Sequence, residues 1–272
     1  MVVYQVRALS QLTHPNLVKL IGCCSEAFVL VYEYLPNGNL EDRLYCKNKS
    51  TPLSWQTRIH IVTELCSVLV YLHSRKPHSM VHGDLKPSNI LLDANFVSKL
   101  GDFGICRILC HESRSSNDTT LCHFTDQPKG TPPYIDPAFI VSGKLTSKSD
   151  VYSFGLILLQ LLTGQRPDLK IGKEMQVVLD AGNLSSLLDS SAGDWSIEIA
   201  QNLAHLALKF CDKNRKNRPV LASDHVRSLL EPMRALCVAS SSSSSGLQED
   251  IATHDSKRTF SSSIDSEDTA GQ

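Results

Sequence analysis

Val81-His82-Gly83-Asp84-Leu85-Lys86-Pro87-Ser88-Asn89-Ile90-Leu91-Leu92-Asp93 is followed closely by Gly101-Asp102-Phe103-Gly104. Two acids and an amide stand in short segments beside the strand-like apolar runs Ile90-Leu91-Leu92 and Val97-Ser98-Lys99-Leu100. Phosphoryl transfer from a nucleotide needs such a set: one carboxylate to orient and deprotonate the attacking hydroxyl, a second carboxylate and an amide oxygen for magnesium. A lysine two residues past the first acid can neutralise charge on the transferred group. The competing reading is a pair of ordinary turns, where Asp, Asn and Gly are common. Two ordered motifs at this separation count against it.

The pattern H-x-D-x-K-x-x-N followed by D-F-G resembles the catalytic and magnesium loops of protein kinases. The resemblance makes Asp84 the base, Lys86 the phosphate contact, and Asn89 and Asp102 the metal ligands. It implies ATP and Mg²⁺ as cofactors, protein Ser/Thr hydroxyls as substrate, and an α+β fold with a remnant small lobe and a complete, mainly helical large lobe. The domain covers 1–237, with 1–35 as small lobe and hinge and 36–237 as large lobe.

Length and composition allow this. The 272 residues can hold one large domain or two smaller ones, and 42% hydrophobic residues can build a sizeable core. A net charge of -1 gives no hint of nucleic acid or anionic membrane as partner. Nine cysteines are irregularly placed with no C-x-x-C, and they read as reduced thiols of a cytoplasmic protein. No signal peptide is visible. The run Val151 to Leu162 is too short and too polar to span a bilayer.

In chain order, Met1 to Leu12 looks helical and His14-Pro15-Asn16 breaks it. Leu17–Gly22 and Phe28–Tyr34 read as two strands. On the kinase match these are helix C, strand 4 and strand 5. Tyr32 is then the gatekeeper, Glu33, Tyr34 and Leu35 the hinge, and Leu91 lines the nucleotide with Glu33, Leu35 and Lys86. Leu9, Leu20, His82 and Phe103 would form a buried regulatory column on the helix beginning at Asp150. The Gly-rich loop and strand-3 lysine of kinases are not in these residues, and Gln5 stands where helix C carries glutamate. Residues 1–272 by themselves are therefore expected to bind ATP weakly and to transfer little.

Ser54 is a plausible N-cap for a core helix whose face includes Ile59, Val62, Cys66, Leu69 and Leu72. Gly83 stands where many kinases carry arginine. Either it cannot receive a phosphorylated activation loop, or it merely eases a turn. The polar stretch Ile105 to Pro133, with Ser113, Ser115, Ser116, Thr119, Thr120 and Thr125, would be the activation segment. It closes at Gly130-Thr131, where Thr131 would contact Asp84 and Lys86. Lys86-Pro87 and Gly130-Thr131 look like the serine/threonine class. Ala138 replaces the glutamate that pairs with a distant arginine, so Arg218 is expected to find another acceptor or solvent. Asp150 opens the most apolar helix and would anchor the catalytic loop. Glu174–Leu179, Leu184–Leu188, Ile197–Phe210 and Leu221–Leu236 read as helices. His73, His123, His205 and His225 read as packing residues. From 238 to 272 a serine tract and a polar remainder read as a disordered tail.

Asp93–Arg107, Leu161–Pro167, Ser191–Trp195 and Leu230–Arg234 are similar to plant receptor-like cytoplasmic kinases that carry a U-box. That family implies a receptor upstream and a ubiquitin-conjugating enzyme as partners, with a U-box following a Ser-rich linker. Three functions stay open: ATP-dependent Ser/Thr phosphorylation, a non-catalytic binding module, and a ubiquitin-ligase component by family.

Overall fold

The computed structural model describes residues 12–24, 26–111, 121–168 and 170–243. The helix expected before Leu12, the activation-segment residues Ser113 to Thr120 and most of the expected tail lie outside them.

The chain first forms a hairpin, β1 (Leu20–Cys24) against β2 (Val29–Tyr32), with Cys24 opposite Val29 and an irregularity between Leu20 and Gly22. The first strand starts later than its apolar run because Leu17 and Val18 have another partner. The Val18 N–H donates to Leu100 O at 3.0 Å, and the Leu100 N–H donates to Asn16 O at 2.9 Å. This splice joins the hairpin to the helical region.

Helix α1 (Leu40–Leu44) is capped by Asn39, whose side chain accepts the Asp42 N–H. Helix α2 (Trp55–Ser74) is capped by Ser54, which accepts the Thr57 N–H at 3.2 Å. Its expected face is buried, but so are Ile61, Leu65 and Val68. The helix is covered on more than one side, and so is Arg58. The Arg58 guanidinium donates to Leu53 O, Leu161 O and Asp189 Oδ2, satisfying a charge at 1% exposure.

Short strands follow: β3 (Met80–Val81), β4 (Ile90–Leu92), β5 (Ser98–Leu100), β6 (Arg107–Ile108), β7 (Cys110–His111) and β8 (Leu121–Phe124). After α3 (Pro137–Ser142) comes β9 (Lys144–Leu145). They form small separate sheets, with β3 on β6, β4 on β5, and β7-β8-β9 in that order.

Helix α4 (Ser147–Thr163) is the centre of the large lobe. A Thr146/Ser149 capping box starts it, and Gly164 at φ 66° ends it. Every residue from Ser149 to Thr163 is buried. It packs on α6 (Ile197–Phe210), with Phe154 and Phe210 rings 5.6 Å apart. Gly155 lets the two helices approach: a Cβ there would lie 2.8 Å from the Phe210 Cβ and 2.6 Å from the Cys211 Sγ. Helix α5 (Ile171–Asp180) begins before the expected Glu174, and α7 (Asp224–Ser243) begins after Leu221. The expected helix Leu184–Leu188 is only a 3₁₀ turn, Leu184–Ser186. The chain must straighten there, because the Asp189 N–H donates to Leu162 O while its carboxylate meets Arg58. Helix α7 passes Cys237 and enters the stretch that composition assigns to the tail. No helix among the described residues is long and apolar enough to cross a membrane.

Candidate active site

The β4–β5 hairpin explains how residues separated in sequence meet. Ile90 pairs with Leu100, Leu91 with Lys99 and Leu92 with Ser98. Asn89 immediately precedes one strand and Gly101-Asp102 follows the other. The Gly101 N–H donates to Asn89 O at 2.8 Å, so Asn89 and Asp102 lie at the same end of the hairpin. Asp102 is exposed at φ 54°. Its Oδ1 accepts the Gly104 N–H at 3.2 Å, the local side-chain turn that lets aspartate tolerate a left-handed backbone.

The other side of the site hangs from Asp150. Its Oδ2 accepts the His82 N–H and its Oδ1 the Gly83 N–H, both at 2.9 Å. His73 Nε2 meets Oδ2 at 2.9 Å. His73 is thus a partner of the anchor and not the packing residue its helix position implied. Asp150 is fully buried. Burial would raise its pKa, but His73, His82 and the Gly83 N–H outweigh that and hold it below the usual carboxylate range. Gly83 sits at φ 80°, where a side chain is strained. That geometry gives the turn reading of Gly83 a physical basis.

His82 is buried. The Asp84 N–H lies 3.3 Å from its Nδ1, and its Nε2 lies 2.9 Å from Gly101 O. Its ring meets Phe103 edge-on at 5.0 Å. Of the expected column, Leu20 is half-buried and packs against the main core, and Leu9 lies outside the described residues.

Asp84 is held by three side chains. Its Oδ1 accepts the Thr131 hydroxyl at 2.7 Å and its Oδ2 lies 3.0 Å from Lys86 Nζ. The Asn89 amide donates to Asp84 O at 2.9 Å. Lys86 Nζ also donates to Thr131 Oγ1 at 2.8 Å. Burial pushes the Asp84 pKa up, and the Thr131 hydroxyl and Lys86 ammonium together push it further down, so the carboxyl stays below its ordinary value.

Glu33 pairs with Lys99 at 3.0 Å and accepts the Lys19 N–H. Leu35 is buried, and Leu91 is half-buried in β4. Burial, then the Asp102 charge, raises the Tyr32 pKa. Arg218 finds a specific acceptor, Asp136, at 2.9 Å. Its remaining N–H groups donate to Asp212 O and Lys148 O. Asp136 also pairs with Arg215, and both arginines overcome the effect of burial to lower its pKa. Sequence reading centred on Ala138 and missed the acid two residues earlier. The signal available was a second acid beside the vacated position.

The donor set fits magnesium. Asn89 uses its amide N–H groups on Asp84, which leaves an amide oxygen, and Asp102 supplies a carboxylate. Hard oxygens of this kind, with substrate phosphates completing the shell, suit Mg²⁺. Among the described residues no group of three or more His, Cys, Asp or Glu could hold a metal by itself.

A buried Asp under a catalytic-loop backbone, with an acid, lysine and amide above it and a second acid across a short hairpin, defines a protein kinase domain. Residues 2–228 match the model of the protein kinase domain family, and the chain belongs to that family. It is 54% identical to U-box domain-containing protein 33 of Arabidopsis thaliana over 90% of this chain and 28% of that protein. It is 48% identical to U-box domain-containing protein 70 of Oryza sativa subsp. japonica, over 90% of this chain and 30% of that protein. The resemblance to the U-box kinases thus holds, and the chain spans less than a third of these relatives.

Proposed function

We propose that this domain transfers the γ-phosphoryl group of ATP to a serine or threonine hydroxyl of a protein. The observation that carries the reading is Asp84, kept ionised by Thr131 and Lys86 while its side chain keeps a small opening to solvent. The substrate hydroxyl gives its proton to Asp84 as its oxygen bonds to phosphorus, the bond to the β-phosphate oxygen breaks, and ADP leaves. Lys86 stands beside Asp84 to neutralise charge on the transferred group. Asn89 and Asp102 would hold Mg²⁺, which would supply positive charge to offset that of the phosphates. Glu33, Leu35 and Leu91 would line the adenine side. Thr131 linking Asp84 to Lys86 supports the serine/threonine class.

Within a longer protein the domain would act beside a U-box, with a ubiquitin-conjugating enzyme and an upstream receptor as partners in the cytoplasm. The names of the relatives support the U-box part of that extension. A second reading is a binding module without transfer, favoured by Gln5 at the helix C position that pairs with the nucleotide lysine.

The test is magnesium-dependent phosphorylation of a generic protein substrate. Three proteins are compared: residues 1–272, the same chain completed with a lysine-bearing kinase small-lobe strand set, and that completed chain with Asp84→Asn. The completed chain should be active, residues 1–272 weak, and Asp84→Asn slower by roughly 10²–10⁴, the range of a general base. Full activity in Asp84→Asn overturns the role of Asp84. A silent completed chain that still melts cooperatively favours the binding module.

A further inference from the structure

Strands β7 and β8 place Cys110 directly opposite Cys122. Opposed residues of an antiparallel ladder have Cα atoms about 4.5 or 5.5 Å apart, according to the type of pair. Their side chains leave the same face of the ladder. A disulfide needs a Cα separation of about 4.4–6.8 Å, so either type of pair is within reach. Both residues are thiols in this structure. They differ in access: Cys110 is on the edge strand and exposed, while Cys122 is on the central strand and buried.

Among the described residues no other two cysteines face each other across a ladder. Cys23 and Cys24 are neighbours in β1, and successive strand side chains point to opposite faces. Cys66, Cys106 and Cys211 have pKa values raised by burial to about 12, about 11 and about 12, so they stay protonated.

We propose that Cys110 and Cys122 are an oxidative modification site, cross-linked by hydrogen peroxide or another two-electron peroxide oxidant. The accessible Cys110 thiolate attacks the peroxide: an S–O bond forms, the O–O bond breaks, and the departing hydroxide takes a proton to leave as water. The Cys122 sulfur then attacks the Cys110 sulfenic sulfur: the S–S bond forms, the S–O bond breaks, and a second water leaves. Two thiols and one peroxide give one disulfide and two waters. The bond ties together the two ends of the stretch carrying Ser113, Ser115, Ser116, Thr119 and Thr120. The proposal does not depend on phosphoryl transfer.

The experiment titrates residues 1–272 with hydrogen peroxide, quenches with iodoacetamide and maps tryptic peptides. Cleavage after Arg114 separates the cysteines into peptides 108–114 and 115–129. The expected product is these two peptides joined, lighter by two hydrogens than their sum and separated by dithiothreitol. Cys122→Ser should trap Cys110 as a sulfenic acid that reacts with dimedone. Cys110→Ser, at the exposed position, should leave Cys122 alkylatable at the same peroxide dose. The proposal is overturned if Cys110 over-oxidises while Cys122 remains alkylatable in the wild-type protein. It is equally overturned if Cys110 pairs with another cysteine, or if only dimers form on a non-reducing gel.

Discussion

Helix α4 and the β1–β2 hairpin are both apolar, and they end up in opposite surroundings. From Ser149 to Thr163 the helix has no exposed residue. The hairpin leaves Ile21 at 63% and Phe28 at 73% exposure, with Val29 and Val31 also exposed. Hydropathy does not separate the two segments. Partners do: α4 is covered by several other helices, while the described residues tie the hairpin down through the Asn16–Val18 splice onto β5, the Glu33–Lys99 pair and the packing of Leu20 on the core. The residues proposed to handle phosphate all hang from the covered region. The candidate adenine contacts Glu33 and Leu35 stand at the end of the uncovered one. On the proposed function, chemistry and nucleotide affinity would therefore rest on parts that are covered to very different degrees.

The largest stability effect should come from the covered region's buried charge. Arg218→Met leaves Asp136 without its main partner at a site with no solvent access. Breaking a buried pair from one side costs about 3–5 kcal/mol. Urea unfolding should show that loss with little change at the hairpin. The same pair predicts an acid limit. Asp136 has a folded pKa below its unfolded value, near 3.9. Its contribution is therefore fully present above about pH 4 and is lost as pH falls through the depressed folded value. Wild type should lose stability in that window, and Arg218→Met should lose less, because only Arg215 is left to depress the Asp136 pKa. Equal acid sensitivity in both proteins would remove Asp136 from the account.

A smaller effect tests how tightly the covered region is built. Gly155→Ala adds a methyl where Phe210 and Cys211 already press against the backbone. Overpacking of this kind costs about 1–3 kcal/mol, although alanine has the better helix propensity. A calorimetric melt that rises instead would mean α4 and α6 separate freely at this crossing.

What the sequence made legible was local. Asp84, Asn89 and Asp102 lie in short segments whose spacing alone aligns them once Ile90–Leu92 folds back on Ser98–Leu100. Ser54 and Gly164 mark helix ends because a cap needs only its own neighbours. The long-range pairings were not legible. Asp136 for Arg218, His73 for Asp150 and Asp189 for Arg58 join common residue types across distant segments. No periodicity encodes such choices. The start of β1 was misread for the same reason, since Leu17 and Val18 look like strand residues of the hairpin and are instead tied to Leu100. The Cys110–Cys122 register was hidden because strands this short carry no alternation to read.

The smallest expected effect sharpens the opening contrast most. Ile21→Thr and Phe28→Ser each remove apolar surface that is already in water. Burial is what gives a large apolar side chain its roughly 1.5–3 kcal/mol, so little is left to lose. In residues 1–272 each substitution should change stability by no more than about 0.5 kcal/mol, the usual surface range. A two-stranded hairpin is marginal by itself. Its amides should accordingly exchange with solvent at a far lower opening free energy than those of α4, and the substitutions should not alter that ordering. Placed in the chain completed with further small-lobe strands, the same substitutions become diagnostic. If added strands cover this face, Phe28→Ser should now cost well over 1 kcal/mol, and hairpin exchange should slow toward that of α4. If both values stay as they were, the apolar face of β1–β2 is not a seat for those strands. The contrast between hairpin and helix would then belong to the domain itself, whatever flanks it.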